Sequence, residues 1–337
     1  MKQAGRIISL LTTVALMGAL LLACGSNTEQ SAAEQASTAP ATEVSSSPAA
    51  ESPAASAEAE TGTRLFKDWT GHEVEVPVTP QRVIYHGETT GDLLALGVTP
   101  IGVMKNTEGS VYEEQIKDAE DVGFPISVEK SLSLSPDLII FGNSDDAQYE
   151  ALAKVAPTIT FDTFAPLEDR MRILGDLLNK KQEAEDWIAQ YTAKTKEMWA
   201  MLHENGLKEG ETASIFTMYP GNRLFIMANA GLPQAVYNED GFKPTPLIQE
   251  IIDAGEGFRE ISSEILPEAA GDRIFILNPV PEDAKKDTEE LLKSTIWKNL
   301  PAVKEGKVYY FDIQKASSDA ASRDWLIDAL PAEILKK

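Results

Sequence analysis

The sequence predicts an α/β protein made of two lobes joined by a single long α-helix. Short apolar runs alternate with helical patterns up to residue 166. A proline-free amphipathic stretch follows, and the alternation then resumes from about residue 206. Strands separated by helices are typical of parallel α/β sheets. A cleft between the lobes is the expected binding site of such an architecture.

Four apolar runs predict the strands of the first lobe, residues 64–166. Their aliphatic and β-branched composition indicates buried strands, and the segments between them favour short helices. The predicted strands are 83–85, 101–103, 138–141 and 158–161, and the predicted helices include 92–96 and 149–152. This order implies parallel pairing.

The interlobe segment, residues 167–205, predicts one long amphipathic helix. Its apolar positions follow the i, i+3, i+4, i+7 spacing of a helix face. They are Ala184, Trp187, Ile188, Tyr191, Thr195, Met198 and Leu202. We expect a helix of about five or six turns whose aromatic side chains face a core.

The second lobe, residues 206–337, repeats the alternation. Strands are predicted at 214–218, 224–227, 273–277 and 308–311. Pro220 and Gly221 lie between the first two of these runs and indicate a turn.

The N-terminus has the layout of a secretory signal peptide over residues 1–23. Lys2 and Arg6 precede an apolar run that is too short for a membrane span, and Ala23 precedes Cys24. The run 21–24 resembles a bacterial lipobox, which predicts lipidation of Cys24 and anchoring on the extracytoplasmic face of the cell membrane. A lipid as sole retention device suggests a Gram-positive type of cell, without an outer membrane. Because Cys24 is the only cysteine, a disulfide framework, a Cys-ligated zinc and a buried cysteine nucleophile are excluded.

The segment from Cys24 to residue 63 predicts a disordered linker. After Cys24 it consists almost wholly of Ser, Ala, Thr, Glu, Pro and Gln, without a basic or aromatic residue. Such a composition cannot bury enough apolar surface to offset the entropy of ordering the chain.

The charge of the chain argues against nucleic acid as a partner. The formal net charge is −23, and loss of Lys2 and Arg6 with residues 1–23, which contain no acid, makes it −25. A field of that sign repels phosphate backbones. With 43% hydrophobic residues the chain still has the composition of a protein with a large core.

The two lobes share a short sequence repeat. Ser127-x-Glu129 is followed eight residues after Glu129 by Asp137, and Ser262-x-Glu264 is followed eight residues after Glu264 by Asp272. The repeat predicts approximate symmetry between the lobes, with one glutamate at the same place in each.

Two roles remain open for this repeat. Both serines have the sequence context of helix N-caps, where a first-turn glutamate is favoured by the helix dipole. Glutamates at matched positions also suit docking onto a symmetric partner through bidentate pairs with arginine. The two roles are compatible.

Residues 64–337 resemble the substrate-binding proteins of ABC importers for iron siderophores and vitamin B12. The resemblance lies in the order and spacing of several stretches. These are 80–84, 92–103, 128–140, 263–264, 271–275 and 297–309. It implies two Rossmann-like lobes with a ligand cleft between them, modest closure on the ligand, and contacts of Glu129 and Glu264 with arginines of the two permease subunits. An ABC permease dimer with a cytoplasmic ATPase is therefore the expected partner.

Ligands in open α/β sheets bind beyond the carboxyl ends of the strands. Residues just after the predicted strands are therefore candidate ligand contacts: Tyr85, His86, Met104, Lys105, Phe124, Asn143, Tyr219 and Arg223. Aromatic rings and guanidinium groups suit the organic shell and the chelating oxygens of a siderophore. Each residue could instead be an ordinary core or loop residue.

We expect a monomeric, lipid-anchored receptor for a ferric siderophore, with hydroxamates slightly favoured by the acidity of the chain. Haem or cobalamin is the alternative ligand, and direct capture of a metal ion is less favoured because the chain has only three histidines. The sequence carries no nucleophile elbow, phosphate-binding glycine loop or His-x-x-x-His pair, so no enzymatic activity or cofactor is expected.

Overall fold

The computed structural model describes residues 62–105 and 107–336, which fall within one compact unit. The predicted signal peptide, Cys24 and nearly all of the predicted linker lie outside the described residues. No helix in the described part is both long enough and apolar enough to cross a membrane. The predicted lobe boundaries at 166 and 205 remain predictions.

Thirteen strands and twelve α-helices form the described part, together with two 3-10 turns at Glu113–Ile116 and Ser263–Ile265. The strands are β1 (Thr63–Lys67), β2 (Glu73–Pro77), β3 (Val83–His86), β4 (Gly102–Val103), β5 (Glu120–Asp121), β6 (Leu138–Phe141), β7 (Thr158–Thr160), β8 (Thr212–Tyr219), β9 (Arg223–Met227), β10 (Lys243–Pro244), β11 (Phe258–Ile261), β12 (Arg273–Asn278) and β13 (Val308–Asp312). The helices are α1 (Thr90–Ala95), α2 (Val128–Ser133), α3 (Asp146–Leu152), α4 (Leu167–Leu177), α5 (Lys181–Glu204), α6 (Pro233–Val236), α7 (Pro246–Asp253), α8 (Leu266–Ala269), α9 (Glu282–Lys293), α10 (Thr295–Lys298), α11 (Pro301–Lys304) and α12 (Ala320–Ile334).

The N-terminal sheet has the strand order β5-β4-β3-β6-β7, and all of its pairs are parallel. Its central strands β3 and β6 are buried along their whole length, as expected for a sheet covered on both faces. The predicted parallel α/β order is confirmed here. A separate antiparallel hairpin, β1-β2, precedes the sheet and was not predicted from the sequence.

The C-terminal sheet has the order β11-β9-β8-β12-β13, with β10 beside β8. Strands β8, β12 and β13 are parallel, whereas β9 runs antiparallel to both of its neighbours. This sheet is therefore mixed, whereas the N-terminal sheet is wholly parallel. Tyr219 pairs directly with Arg223 across a turn in which Gly221 and Asn222 adopt positive φ. A connection this short can join only antiparallel strands, because a parallel crossover needs about a dozen residues or more.

The interlobe segment forms two helices, α4 and α5, with Asn179 at positive φ between them, so one continuous helix over 167–205 is wrong. The predicted amphipathic helix is α5, which packs against the cores of both sheets. It has 24 residues, a length of about 36 Å. Ile188 and Tyr191 belong to the core of the N-terminal sheet. Trp199 and Leu202, farther along the helix, belong to the core of the C-terminal sheet.

Helix α12 makes a second connection that the sequence analysis did not anticipate. Ala320, at its start, packs in the N-terminal core. Leu326, Leu330 and Ile334 pack in the C-terminal core. The chain therefore changes core three times: along α5, back between Ala316 and Ala320, and forward again along α12.

A buried ion pair fixes the start of α12 against the N-terminal core. The side chains of Arg170 and Asp92 are fully buried, and Arg170 Nε donates to Asp92 Oδ2 at 2.8 Å. Arg170 Nη2 also donates to the Ser318 carbonyl at 2.7 Å, and the Ala320 amide donates to Asp92 Oδ1 at 2.7 Å. These bonds join α1, α4 and the start of α12.

A glycine lets α1 and α12 approach closely at this junction. A β-carbon on Gly91 would lie 1.9 Å from Asp319 Oδ1, which no side chain tolerates. Asp319 is itself fixed as the N-cap of α12, because its Oδ1 accepts from the Ser322 amide at 2.9 Å.

Candidate ligand-binding cleft

A cleft of about 370 Å³ lies where the carboxyl ends of strands from both sheets meet. This volume is within the range of small-molecule sites. The cleft is lined by Glu88, Thr107, Tyr112, Met218, Tyr219, Pro220, Pro279, Val280, Pro281, Ile313, Gln314 and Ser317. The expectation of a cleft between the lobes is confirmed.

Strand order explains why residues so far apart in sequence line one cleft. Glu88 comes two residues after β3, and Met218 and Tyr219 end β8. Residues 279–281 follow β12, and Ile313 follows β13. Parallel strands place their carboxyl ends at one edge of a sheet, where ligands of α/β proteins bind. The three residues 279–281 add two prolines, which cannot extend β12 as a regular paired strand.

The cleft has an aromatic and largely uncharged surface. Tyr219 is 43% exposed, and its ring packs edge-on against Phe225 at 5.0 Å between centroids. Burial, with a smaller contribution from the negative charge of Glu88, raises the pKa of Tyr219. Burial also raises the pKa of Tyr112, helped by the charge of Asp319. Both phenols are therefore neutral at pH 7.

His86 and Phe124 form a stacked pair at the carboxyl ends of β3 and β5. Their ring centroids are 6.0 Å apart and their planes differ by 8°. His86 is 3% exposed, and burial lowers its pKa, so the ring is neutral at pH 7. Nε2 of His86 bonds the Gly123 carbonyl at 3.0 Å, and Nδ1 has no partner among the described residues. Phe124, at 76% exposure, leaves one ring face open to solvent.

The candidates Lys105 and Arg223 are exposed, but each is held by a contact within the chain. Lys105 Nζ donates to the Lys117 carbonyl at 3.3 Å. Arg223 donates to Glu260 Oε2 from Nε at 3.0 Å and from Nη2 at 2.7 Å. Neither residue is among those that line the cleft.

The structure places the remaining candidates away from the cleft surface. The side chain of Tyr85 is fully buried in the N-terminal core, and its hydroxyl bonds Thr89 Oγ1 at 2.5 Å. Met104 is 6% exposed. Asn143 is half-buried, and its Oδ1 accepts the backbone amides of the next two residues.

Of the eight candidate contacts, Tyr219 alone is among the cleft-lining residues. The sequence analysis missed Tyr112, Gln314, Ser317 and the proline pair at 279 and 281. The rule of strand carboxyl ends, applied after the predicted strands 273–277 and 308–311, would have found most of these. Tyr112 carries no such signal, because it precedes a 3-10 turn in a long connection.

The histidines do not come together as a metal site. Within residues 62–105 and 107–336 no group of three or more His, Cys, Asp or Glu side chains is arranged to hold a metal ion. His72 bonds Asp68 Oδ2 at 3.0 Å, and His203 bonds two backbone carbonyls at the end of α5.

Glu129 and Glu264 occupy corresponding positions in the two sheets. Reading from one edge, β5-β4-β3-β6-β7 matches β11-β9-β8-β12-β13 strand for strand, apart from the reversed direction of β9. Glu129 follows the edge strand β5, and Glu264 follows the edge strand β11. Both glutamates are exposed.

The two copies of the repeat make the same kinds of hydrogen bond, which supports this correspondence. Ser127 caps α2 and Ser262 caps the 3-10 turn, each with its side-chain oxygen accepting a backbone amide, which confirms the predicted N-caps. Asp137 accepts the Arg82 amide at 2.9 Å just before β3. Asp272 accepts the Thr212 amide at 2.8 Å at the start of β8.

Two matched sheets, two helical connections and a cleft at the strand ends define a two-lobed solute-binding protein. The chain belongs to the periplasmic binding protein family, whose model matches residues 83–314. This is a family of substrate-binding receptors, in keeping with the expectation of a binding protein rather than an enzyme.

Curated relatives and solved structures resemble most of the chain. The iron(3+)-hydroxamate-binding protein YxeB of Bacillus subtilis is 32% identical over 268 residues, covering 76% of this chain and 80% of that protein. The FhuD protein from S. pseudintermedius superposes with a TM-score of 0.72 at 27% identity, covering 82% of this chain and 99% of that one. Staphylococcus aureus SirA, solved in complex with staphyloferrin B, gives a TM-score of 0.70 at 28% identity, covering 80% of this chain and 97% of that one.

Proposed function

We propose that the protein captures a ferric siderophore, with hydroxamates favoured, and delivers it to the permease of an ABC importer. The observation that carries this proposal is the similarity to an iron(3+)-hydroxamate-binding protein over 76% of the chain. The siderophore is the transported ligand and not a cofactor.

The cleft suits such a ligand. The aromatic ring of Tyr219 and the prolines at 279 and 281 provide apolar surface for the organic shell of a siderophore. The neutral hydroxyls of Tyr112 and Tyr219 and the amide of Gln314 provide hydrogen bonds to chelating oxygens. Phe124, His86 and Arg223 remain proposed contacts near the mouth of the cleft.

Delivery is proposed to use Glu129 and Glu264. Both are exposed, both follow an edge strand, and both lie at the end of their sheet that borders the cleft. A permease dimer that presents an arginine on each subunit would pair with both carboxylates at once. This arrangement would place the cleft over the permease.

The lipid anchor is proposed from sequence alone. Lipidated Cys24 would hold the receptor at the extracytoplasmic face of the membrane, and the linker to residue 63 would keep it near its permease. Tethering of this kind raises the effective concentration of a partner without fixing its orientation. Orientation would then depend on the two glutamates.

A fluorescence titration tests the ligand assignment. Ferric hydroxamates, ferric catecholates, haem and cobalamin are added in turn to the mature protein while tryptophan emission is recorded. We expect saturable quenching at the lowest concentrations with ferric hydroxamates, because the cleft is aromatic and bears no basic lining residue among those described. Tight binding of haem or cobalamin alone would overturn the siderophore assignment.

A further inference from the structure

The lining of the cleft includes one negatively charged side chain and no positively charged one. Of the twelve residues that line it, Glu88 is the only one that is charged at pH 7, and none is Lys, Arg or His. Glu88 is exposed, and it has no hydrogen bond or ion pair with any other described residue. Glu88 lines the cleft together with Tyr219, so its side chain is on the surface that a bound ligand would contact.

Two cations that neighbour the lining residues, Arg223 and Lys105, have carboxylates of their own beside them, whereas the exposed Lys315, next to Gln314, is not among the residues that line the cleft. Arg223 is paired with Glu260, and both side chains are about half exposed, so the pair contributes no net charge. Lys105 lies beside Asp121, whose Oδ1 accepts the Lys105 amide at 3.2 Å. The bond from the Gly123 amide, and then the Lys105 amide and the charges of Lys130 and Lys105, lower the pKa of Asp121. The field of the whole chain, at a net charge of −23, has the same sign as the cleft.

Ferric siderophores differ in charge in a way that this cleft can distinguish. The ionised groups of a trihydroxamate balance the charge of ferric iron, so the complex is neutral unless its backbone carries another charged group. A tris-catecholate complex keeps a large excess of negative charge. A hydroxamate chain that ends in an amine carries an added positive charge at neutral pH. Only the last of these gains from a nearby carboxylate.

We propose that Glu88 is a charge-selectivity residue, which favours ferric hydroxamates bearing a protonated amine over neutral ones with the same chelating groups. The inference rests on the proposed function and refines its ligand class. A partly exposed carboxylate–ammonium contact changes binding by about threefold to tenfold, because water screens much of the attraction.

A matched pair of probes tests the proposal. Ferrioxamine B has a free terminal amine, and N-acetylation removes that charge while leaving the iron centre unchanged. We expect the wild-type protein to bind the amine form about threefold to tenfold more tightly, with a ratio that falls as salt is added. Glu88→Gln should bring the ratio close to one, whereas the matched control Glu150→Gln, an exposed glutamate on α3, should retain it.

The outcomes separate this inference from the proposed function. Tight binding of both probes with a ratio unaffected by Glu88→Gln would overturn the role of Glu88 and leave siderophore capture standing. A wild-type ratio that does not depend on salt would also contradict it. Failure of both probes to bind the wild-type protein at micromolar concentration would overturn both proposals, and tighter binding of the N-acetylated form would overturn the role of Glu88 alone.

Discussion

Asp319 is a buried carboxyl that lies close to a second one, and this position makes its ionisation costly. It is fully buried at the start of α12, near Asp92. Burial, and then the charge of Asp92, raises the pKa of Asp319 to about 6 from its ordinary value of 3.8. The same carboxyl caps α12 through the amide and hydroxyl of Ser322. The cap requires an oxygen acceptor but does not require a charge.

Replacing Asp319 by Asn should therefore change how stability depends on pH. A carboxyl with a raised folded-state pKa binds its proton more tightly in the folded state, so stability rises as the pH falls from about 6 towards 4. Above pH 6 the ionised Asp319 lowers stability. We expect Asp319→Asn to gain about 1–3 kcal/mol relative to wild type at pH 7.5 and to lose about half of that gain at pH 5. Urea unfolding at the two pH values measures both differences.

Asp319→Ala is the control for the capping role. It removes the acceptor along with the charge, so it should forfeit about 1 kcal/mol of cap energy at both pH values compared with Asn. A difference between Asp319→Asn and wild type that is the same at pH 5 and 7.5 would contradict the raised pKa.

Helices α4 and α5 cross at a point where only glycine fits. A β-carbon on Gly175 would lie 2.6 Å from the β-carbon of Ala184 and 3.1 Å from the Lys180 carbonyl oxygen. Both helices pack in the N-terminal core. The crossing therefore determines where α5 begins its path towards the other sheet.

Gly175→Ala should destabilise the protein although alanine is the better helix former. Overpacking of a close contact costs about 1–3 kcal/mol, and the gain in helix propensity is about 1 kcal/mol. We expect a net loss, measured as a lower thermal midpoint. The double variant Gly175→Ala/Ala184→Gly moves the methyl group to the other helix, so it should recover part of the loss. If Gly175→Ala alone is more stable than wild type, the two helices can move apart at little cost, which would contradict the prediction.

Among the helices and strands, the long buried strands could be predicted from the sequence, whereas the very short strands and the exposed hairpin mostly could not. The central strands β3, β6, β8 and β12 are continuous apolar runs, and each was placed within one or two residues of its observed bounds. Strands β4, β5 and β10 have two residues each and are defined by pairing alone; of these, only β4 had been predicted. Hairpin β1-β2 alternates exposed and less exposed residues against little core, so its apolar signal is diluted.

The site was less predictable than the fold, because a candidate contact depends on knowing both where a strand ends and which way each side chain points. Tyr85 was selected as the residue near the end of a strand, but β3 is buried on both faces and Tyr85 points into the core. Glu88, two residues beyond the strand, lines the cleft. A shift of this size is within the error of any boundary drawn from sequence.

At the scale of the whole molecule, the two matched glutamates each follow the edge strand of one sheet, and we propose that together they form the docking surface. The correspondence of the strand orders gives the two sheets similar topologies, which suits the proposed docking onto a dimeric permease. Exposed apolar side chains also lie near Glu129, with Val128 at 38% and Leu132 at 60% exposure. Such a surface combines charge for orientation with apolar area for contact.

Reversing the charge of both glutamates should uncouple ligand capture from uptake. We expect Glu129→Arg/Glu264→Arg to bind the ferric siderophore with wild-type affinity but to support little or no iron uptake by cells, because like charges would then face each other at both contacts. Uptake of labelled ferric siderophore by a strain lacking the native receptor measures the effect.

The control keeps the same change in net charge and moves it elsewhere. Glu150→Arg/Glu290→Arg alters one exposed glutamate on α3 and one on α9, neither of which has an ion pair in the described part of the chain. This variant should retain uptake. Normal uptake by the Glu129→Arg/Glu264→Arg protein would refute the docking role.

The path of α12 determines when the protein can finish folding. The bond from the Ala320 amide to Asp92 joins residues 228 positions apart in the chain. A chain that emerges N-terminus first can form the first sheet early, but the core of that sheet lacks Ala320 and the anchor at Ser318 until synthesis is almost complete. Truncation shortly before residue 317 would leave both cores incomplete at once. A prematurely ended chain should therefore be degraded as an unfolded protein and should not persist as a partly active receptor.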